Sequence, residues 1–365
     1  MKRKGIKVSQ NTITLMFLVI CIIGIILSGY SPSFLVSQVV IRFARNAFLV
    51  LSLLLPVVAG LGINFGMTLG AMAGQVALIL VEDWGVVGIP GILLASLISI
   101  PIAWLLGSFA GGVLNRAKGR EMITSMILSF FISGVYQFIV LYMFGTIIPI
   151  KNPNILLSRG YGVRNALELS VYGGFDKFFD RLFRADIAIL GVHIPIMSII
   201  VIILGCLFIV WFKKTKIGQD MRAVGQDMEV SEASGINVNR VRRQAMVLST
   251  IMASFGQIIY LQNIGNLNTY NGADQAATYA AAALLIGGAS VSKASISNAL
   301  LGTLLFHTMF IVMPQAGTNV TGNAMLGEYF RTFISYTIVT ITLILHSIRR
   351  NQERAAELEL IRNNH

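Results

Sequence analysis

Apolar stretches of about 20 residues recur along the whole chain and are separated by short polar connections. An α-helix of that length is long enough to cross the hydrocarbon core of a bilayer. The strands of a membrane barrel would instead alternate apolar and polar residues, and these stretches do not alternate. The pattern therefore predicts an all-α integral membrane protein with about ten transmembrane helices.

The expected organisation is one membrane domain with a short tail at each end. Residues 1–11 form a cytoplasmic N-terminal tail, residues 12–348 the transmembrane domain and residues 349–365 a cytoplasmic C-terminal tail. Within the domain, residues 149–186 form an exterior segment and residues 213–243 a cytoplasmic segment. The expected spans are 12–28, two short or broken helices within 48–81, 88–114, 122–148, 187–212, 245–263, a small-residue stretch at 276–290, a span ending near 313, and 332–348.

Charge predicts how these spans are oriented. The chain has 28 Lys and Arg against 16 Asp and Glu, an excess that suggests a nucleic-acid partner in a soluble protein, but here 55% of the residues are hydrophobic. With ten spans, the cytoplasmic side holds 19 basic and 8 acidic residues, and the exterior holds 9 and 8. Because cytoplasmic loops are enriched in Lys and Arg, both termini are predicted to be cytoplasmic, and the expected environment is a lipid bilayer with no nucleic acid.

The sequence also excludes several classes of function. It has no phosphate-binding loop of the G-x-x-x-x-G-K-[ST] type, no H-E-x-x-H and no nucleophile elbow, so a transporter is expected rather than an enzyme, with no cofactor of its own. Cys21 and Cys206 lie inside apolar stretches without metal-type spacing, so no metal site is predicted. The expected spans contain no Asp, Glu, Lys or Arg, which disfavours an ion-coupled carrier.

Polar side chains at membrane depth predict a translocation path. Asn64, Thr68 and Gln75 lie in a glycine-rich stretch, where irregular backbone is tolerated only against protein or a water-filled cavity. Two further spans carry polar faces at helical spacing: Ser125, Ser129, Ser133 and Gln137 on one, and Thr250, Ser254 and Gln257 on the other. The alternative explanation is close helix packing with hydrogen bonds between helices.

Residues 218–235 form a polar segment between two long apolar stretches. The cations that flank it are Lys213, Lys214 and Lys216 on one side and Arg240, Arg242 and Arg243 on the other. This charge places the segment on the cytoplasmic face. Its small and acidic residues suit a short helix that lies closely against another protein, and an ordinary solvated loop is the alternative.

The same segment resembles a known family. DMRAVGQDMEVSEASGINVNRVRRQAMVLS at 220–249, followed by LLIGGAS at 284–290, is similar to the permease subunits of bacterial ATP-binding cassette (ABC) importers for simple sugars, nucleosides and branched-chain amino acids. INFGMTLGAMAGQ at 63–75 and EMITSMIL at 121–128 are most similar to the simple-sugar and nucleoside branch. The resemblance implies a type II ABC importer fold and a multi-pass protein of the bacterial inner (plasma) membrane.

The resemblance also implies partners and site residues. A separate ATPase subunit would bind ATP and Mg, a second permease copy or a paralogue would complete a dimer, and an extracytoplasmic solute-binding protein would deliver the solute. Residues 225–235 would form one helix that couples to the ATPase and ends at Gly235. The residues implied to couple are Gly225, Gln226, Asp227, Glu229, Ser231, Glu232, Ala233, Ser234 and Gly235. Gly66, Gly74, Gly287 and Gly288 would flank the translocation path.

The exterior segment carries the expected docking surface for the binding protein. Residues 175–184 have the periodicity of an amphipathic helix that lies on the outer surface. Arg159, Arg164, Arg181 and Arg184 are expected to pair with acidic groups of the binding protein, and contact with lipid head groups is the alternative.

The expected function is import of a neutral polar solute, most simply a sugar or a nucleoside. The candidate path offers hydrogen bonds to hydroxyl groups but no charge for an ionic substrate. A branched-chain amino acid ABC permease and a self-sufficient facilitator or secondary carrier are the alternatives.

Overall fold

The computed structural model describes residues 10–169, 177–179, 184–187, 192–290 and 292–333, together with residues 336, 337 and 340. The helices are α1 (Gln10–Ser28), α2 (Pro32–Ser52), α3 (Leu54–Val58), α4 (Met67–Asp83), α5 (Gly88–Arg116), α6 (Glu121–Phe138), α7 (Ile196–Lys214), α8 (Lys216–Gln226), α9 (Met228–Ala233), α10 (Val238–Ile264), α11 (Gly272–Ile286) and α12 (Ile296–Thr321). A π-helical turn, Ile139–Met143, continues α6, and residues 324–333 are helical. The strands are β1 (Ala166–Glu168), β2 (Arg184–Ile187), β3 (Val192–Pro195) and β4 (Asn266–Asn268).

The described part of the chain is mostly helical, as the hydropathy pattern predicts. It contains six helical segments that are long and apolar enough to cross a membrane. These are Pro32–Val58, Gly88–Arg116, Glu121–Met143, Ile196–Lys214, Val238–Ile264 and Ile296–Thr321. This agrees with an all-α membrane protein, and the described residues add only two short antiparallel strand pairs, β1 with β4 and β2 with β3.

Helix α2 begins much earlier than the hydropathy predicts, at Pro32 rather than near Phe48. Ser31 caps the helix by accepting a hydrogen bond from Phe34 N at 3.4 Å. Pro32 suits the first helical position, where its missing N–H would have no partner in any case. Local capping chemistry therefore starts the helix well before the apolar stretch begins.

Arg42 and Arg45 consequently lie inside a candidate span rather than in an outer loop. The expectation that the spans contain no charged residue is therefore wrong. The Arg45 guanidinium lies 5.7 Å from the centre of the Tyr260 ring on α10, a contact that offsets part of the cost of removing the cation from water. Hydropathy along α2 carries no sign of a partner that is so distant in sequence.

The expected interruption within residues 48–81 is present. Helix α3 ends at Val58, α4 begins at Met67, and the backbone between them is irregular. Gly60 and Gly62 have φ angles of +74° and +73°, a left-handed conformation that glycine adopts without strain. The prediction of broken helices in this stretch is therefore confirmed.

Helix α10 lies at the centre of the bundle and packs against both α4 and α5. Glycines on α4 allow the close approach: a Cβ on Gly74 would lie 2.6 Å from Ser254 O, and a Cβ on Gly70 would lie 2.7 Å from Ala253 Cβ. Small residues let helices in a membrane come together where van der Waals contact drives association. Close packing therefore accounts for Gly74, which was also a candidate for the path.

The last turn of α4 holds two buried carboxyl groups, those of Glu82 and Asp83. Asp83 Oδ1 accepts hydrogen bonds from the backbone N–H groups of Lys151 (2.7 Å) and Asn152 (2.8 Å). These bonds fasten the start of the exterior segment to α4.

The amphipathic helix predicted over residues 175–184 lies largely outside the described residues. Phe178 and Phe179 are helical, whereas Arg184 begins β2, so the predicted helix does not extend to Arg184. Arg181 lies outside the described residues. Because β2 and β3 occupy the start of the expected span 187–212, α7 begins only at Ile196.

Helix α12 is longer than expected. It runs to Thr321 rather than ending near 313, and the helical residues 324–333 follow directly. The connection between α12 and the helical residues 324–333 is therefore only residues 322–323. Gly322, with φ +71°, ends α12 in a left-handed cap.

Replacing Gly70 by alanine should destabilise the bundle. The added methyl group would meet Ala253 Cβ and the Thr250 carbonyl, and forcing extra atoms into a packed interior costs about 1–3 kcal/mol. Gly134→Ala is the control, because a Cβ on Gly134 would have no atom within 4 Å. Thermal unfolding of the detergent-purified proteins should show a lower midpoint for Gly70→Ala alone. Equal midpoints for the two variants would contradict the close contact.

Candidate functional site

Two helices form the cytoplasmic segment, where one helix over residues 225–235 was implied. Helix α8 ends at Gln226, and α9 starts after Asp227, whose backbone is extended. The Asp227 carboxylate accepts hydrogen bonds from Glu229 N (2.9 Å) and Val230 N (3.0 Å) and so caps α9. The first two residues of the implied helix therefore belong to α8.

Gly235 terminates α9, as the resemblance implies. Its φ is +82°, its N–H donates to Glu232 O, and the N–H of Ile236 donates to Ser231 O, both at 3.0 Å. This pair of bonds is a Schellman motif, which needs a residue that tolerates the left-handed conformation. Ser231 is buried, and its hydroxyl donates to Asp227 O at 2.6 Å.

One face of α9 is open to solvent. Its exposed residues, with the cap that follows, are Glu229, Val230, Glu232, Ala233 and Ser234. Val230 is 62% exposed. One apolar side chain among small and acidic residues leaves this face of α9 without cover from the rest of the described chain.

The end of α8 packs directly on the interruption between α3 and α4. A Cβ on Gly225 would collide with the Val58 carbonyl oxygen and would lie 3.1 Å from Gly60 N. A Cβ on Gly60 would in turn lie 3.1 Å from Gly225 Cα. Backbone therefore touches backbone at this point, and Gly225 serves this contact rather than the open face of α9.

Arg242, near the start of α10, contacts the first residues of α6 and α9. Its side chain is fully buried, and its Nη2 lies 2.6 Å from Glu121 Oε1 at the start of α6. Its Nη1 lies 2.9 Å from the sulfur of Met228, the first residue of α9. The sequence indicated a cytoplasmic cation here but not its burial, because no spacing rule links positions so far apart in the chain.

Helix α6 makes a line of polar contacts that we call the polar seam. Its hydrogen bonds are Phe65 N to Ser125 Oγ (3.2 Å), Ser133 Oγ to Asp274 Oδ1 (2.7 Å), Tyr136 OH to Gln75 Oε1 (2.9 Å) and Gln137 Nε2 to Tyr270 O (3.3 Å). The polar seam unites two predicted path residues, Gln75 and Gln137. It also includes Asp274, which was not among the predicted path residues.

Residues 35–344 match the family model described as branched-chain amino acid transport system, permease component. The chain belongs to this permease family. It is therefore a multi-pass protein of the inner membrane and a transporter subunit rather than an enzyme, as predicted. Membership also implies, in general terms, an ATPase and a substrate-binding protein as partners.

Named relatives of the chain are permease proteins of transport systems. It is 25% identical over 343 residues to the autoinducer 2 import system permease protein LsrD of Photorhabdus luminescens, covering 90% of this chain and 91% of the relative. Identity to the ribose import permease protein RbsC of Haemophilus influenzae is 23% over 300 residues, with 79% and 81% covered. Identity to the nucleoside ABC transporter permease protein NupB of Lactococcus lactis is 23% over 288 residues, with 77% and 71% covered. No solved structure matches the permease significantly.

The predicted path residues on α10 face other helices. Thr250 Oγ1 lies 3.0 Å from Ala103 O of α5 and 2.8 Å from Val247 O of its own helix, and Ser254 Oγ lies 3.1 Å from Ser99 Oγ on α5. Both hydroxyls therefore lie against α5, as the packing alternative expects. Gln257 differs: it is fully buried, and neither its Oε1 nor its Nε2 has a hydrogen-bond partner among the described residues.

Asn64, just before α4, and Thr68, in its first turn, are predicted path residues that shape the start of that helix. Asn64 Nδ2 lies 2.9 Å from Met246 Sδ, and Asn64 Oδ1 accepts a hydrogen bond from Gly66 N at 2.9 Å. Thr68 Oγ1 donates to Phe65 O at 3.0 Å. Asn64 and Thr68 are buried, so in this conformation they satisfy local backbone groups.

Gly287 and Gly288 end α11 at the opposite end from Asp274. A Cβ on Gly287 would overlap the Asn298 carbonyl, and Asn298 Nδ2 donates to Gly287 O at 2.6 Å. Gly288 has φ +86° and turns the chain toward α12. The pair thus serves the contact between α11 and α12 and does not reach the polar seam.

Arg159 and Arg164, two of the arginines predicted to contact the binding protein, have structural roles. Arg159 Nη2 donates to Leu141 O at 2.9 Å, and its guanidinium lies 4.3 Å from the centre of the Tyr161 ring. Arg164 Nε donates to Leu156 O at 2.8 Å. Both side chains are exposed while they hold the exterior backbone together.

Proposed function

We propose that this permease works in an ATP-driven importer in which α9 docks on the ATPase subunit. The observation that carries the proposal is how α9 is attached to the transmembrane helices. One face of α9 is open, while Arg242 and Gly225 fix its base to α6 and α3. An element that is exposed for docking and held rigidly to the bundle can convert movement of the ATPase into movement of the helices.

The implied coupling residues divide into two groups by their contacts. The docking surface comprises Gln226, Glu229, Glu232, Ala233 and Ser234, which are exposed, and the structure adds Val230, which was not among the implied residues. Gly225, Asp227, Ser231 and Gly235 form the turns and caps that place this surface. ATP and Mg are bound by the partner, which supplies the energy.

The solute is proposed to follow the polar seam between α4 and α6. The glycine contacts between α4 and α10 leave no room for a path there in this conformation. The polar seam instead presents amide, hydroxyl and carboxyl groups from Gln75, Gln137, Tyr136 and Asp274. These groups exchange hydrogen bonds with hydroxylated solutes as helices separate.

A simple sugar or a nucleoside is the proposed solute class. The expected absence of charged residues from the spans cannot support this choice, because Arg42 and Arg45 lie within a candidate span. Support comes instead from the hydrogen-bonding groups of the polar seam and from relatives named for ribose import and for nucleoside transport.

Ten crossings with cytoplasmic termini remain the proposed topology. Helices α1, α4 and α11 and the helical residues 324–333 would add four crossings to the six candidate spans. Lys213, Arg222 and Lys293 line one pocket, which places the α11–α12 connection on the same side as α8. That grouping of cations is the one expected at a cytoplasmic face.

Two further partners complete the proposed importer. A second permease copy or a paralogue forms the dimer, and a solute-binding protein docks on the exterior segment at Arg159, Arg164, Arg181 and Arg184. Each exposed ion pair there would contribute roughly 0–1 kcal/mol.

The combined change Glu232→Arg and Ala233→Trp should uncouple the importer. A bulky ring and a reversed charge would disturb the packed contact between α9 and the ATPase, and solute uptake should fall roughly tenfold while membrane insertion is retained. The matched control is Glu232→Gln with Ala233→Ser. Uptake and ATPase co-purification are measured in the reconstituted assembly, and wild-type values for both in the disruptive variant would contradict the docking role.

Single cysteines should label according to the ten-span topology. In a background without Cys21 and Cys206, Ser158→Cys should react with a membrane-impermeant maleimide in intact cells, because residue 158 is exterior and exposed. Ser234→Cys, equally exposed, should react only after lysis. The opposite pattern, or labelling of both positions in intact cells, would overturn the topology.

A further inference from the structure

A groove of about 460 Å³ lies where α5, α7, α8 and α10 meet near the cytoplasmic ends of the spans. Its lining residues are Trp104, Ser108, Phe212, Ile217, Arg240, Arg243, Gln244, Val247 and Leu248. None of them belongs to α9 or to the polar seam, so the proposed transport machinery leaves this groove unexplained.

The groove changes from cationic to apolar along its length. On α10, the lining residues at 240, 243, 244, 247 and 248 form one helix face that begins with two arginines and ends with Val247 and Leu248. On α5, which runs toward the cytoplasm, Trp104 lies one turn deeper than Ser108. The α5 and α10 walls are therefore polar at the cytoplasmic end and apolar toward the membrane interior, while Phe212 and Ile217 supply apolar lining on the α7–α8 side.

The two arginines at the polar end of the groove can bind an anion. Neither Arg240 nor Arg243 forms an ion pair with a described carboxylate. Arg243 lies along α5, where a Cβ on Gly111 would be 3.0 Å from its Cα and a Cβ on Gly112 would be 3.8 Å from its Nη2. The bare glycine backbone thus leaves room for the guanidinium of Arg243 beside the groove.

The apolar end opens onto the outer surface of the bundle. Trp104 is 53% exposed and its neighbour Leu105 61% exposed, on a helix that is itself a candidate span. An occupant of the groove must therefore have an anionic head at the cytoplasmic surface and an apolar chain that continues into the bilayer.

We infer that this groove binds an anionic phospholipid of the cytoplasmic leaflet. The phosphate lies between Arg240 and Arg243, because the planar guanidinium group matches the geometry of phosphate oxygens. Ser108 and Gln244 donate further hydrogen bonds, and one acyl chain lies against Trp104 and Leu248. Basic pockets between transmembrane helices on the cytoplasmic side have the chemistry that recognises such head groups.

Trp104 provides a direct reporter of occupancy. The chain has three tryptophans, and Trp84→Phe with Trp211→Phe leaves Trp104 alone. The single-tryptophan protein is reconstituted in phosphatidylcholine vesicles that contain a small fraction of a brominated lipid. That lipid is phosphatidylglycerol in one sample and phosphatidylcholine, at the same fraction, in the other. Because bromine quenches indole fluorescence at short range, brominated phosphatidylglycerol should quench Trp104 more, as if its concentration beside Trp104 were roughly fivefold or more higher.

Variants decide whether the two arginines cause that preference. Arg240→Gln with Arg243→Gln should abolish it, Arg240→Lys with Arg243→Lys should retain part of it, and Arg116→Gln with Arg120→Gln, both exposed outside the groove, should leave it unchanged. A protein that keeps only Trp84, which lies between α4 and α5 and far from the groove end of α5, should show no preference. Equal quenching by the two lipids in the unchanged groove would overturn the inference. So would a preference that survives in the glutamine variant, or one that inorganic phosphate alone removes.

Discussion

The buried ion pair between Arg242 and Glu121 is the interaction on which the cytoplasmic side of this permease depends. Taking two charges out of water costs several kcal/mol per ion, which the pair recovers only through close geometry. Here the two groups lie 2.6 Å apart, and the sulfur of Met228 lies against the same guanidinium. Because these three residues belong to α10, α6 and α9, the pair holds the proposed docking helix to two spans at one point.

A second contact continues from that point into the bundle. The backbones of Gly225 and Gly60 touch, so α8 rests on the interruption that precedes α4. Four residues further on, Asn64 orders the turn, and Phe65 N donates to Ser125 at the first position of the polar seam. The proposed ATPase surface and the proposed path are thus joined by packed backbone and hydrogen bonds, an arrangement in which small shifts at α9 reach α4 and α6.

Much of this arrangement could be predicted from the sequence, because helix length, hydropathy and glycine placement are local signals. The broken stretch before α4, the cytoplasmic segment and the cap at Gly235 are of this kind. Partners distant in sequence left no such signal. Arg45 lies within a span beside the Tyr260 ring, and the Thr250 hydroxyl faces the Ala103 carbonyl of α5. Both contacts depend on helix adjacency, which periodicity along one helix does not encode.

Solute uptake per ATP hydrolysed, in an assembly that carries Arg242→Met together with Glu121→Leu, tests the mechanical link most directly. Replacing a buried ion pair by apolar side chains of similar volume is often tolerated by the fold, so the assembly should remain intact and hydrolyse ATP. Without the polar joint, movement of α9 should no longer reach α6 fully, and uptake per ATP should fall roughly fivefold or more. An intact double variant that imports as much solute per ATP as the wild type would contradict the link.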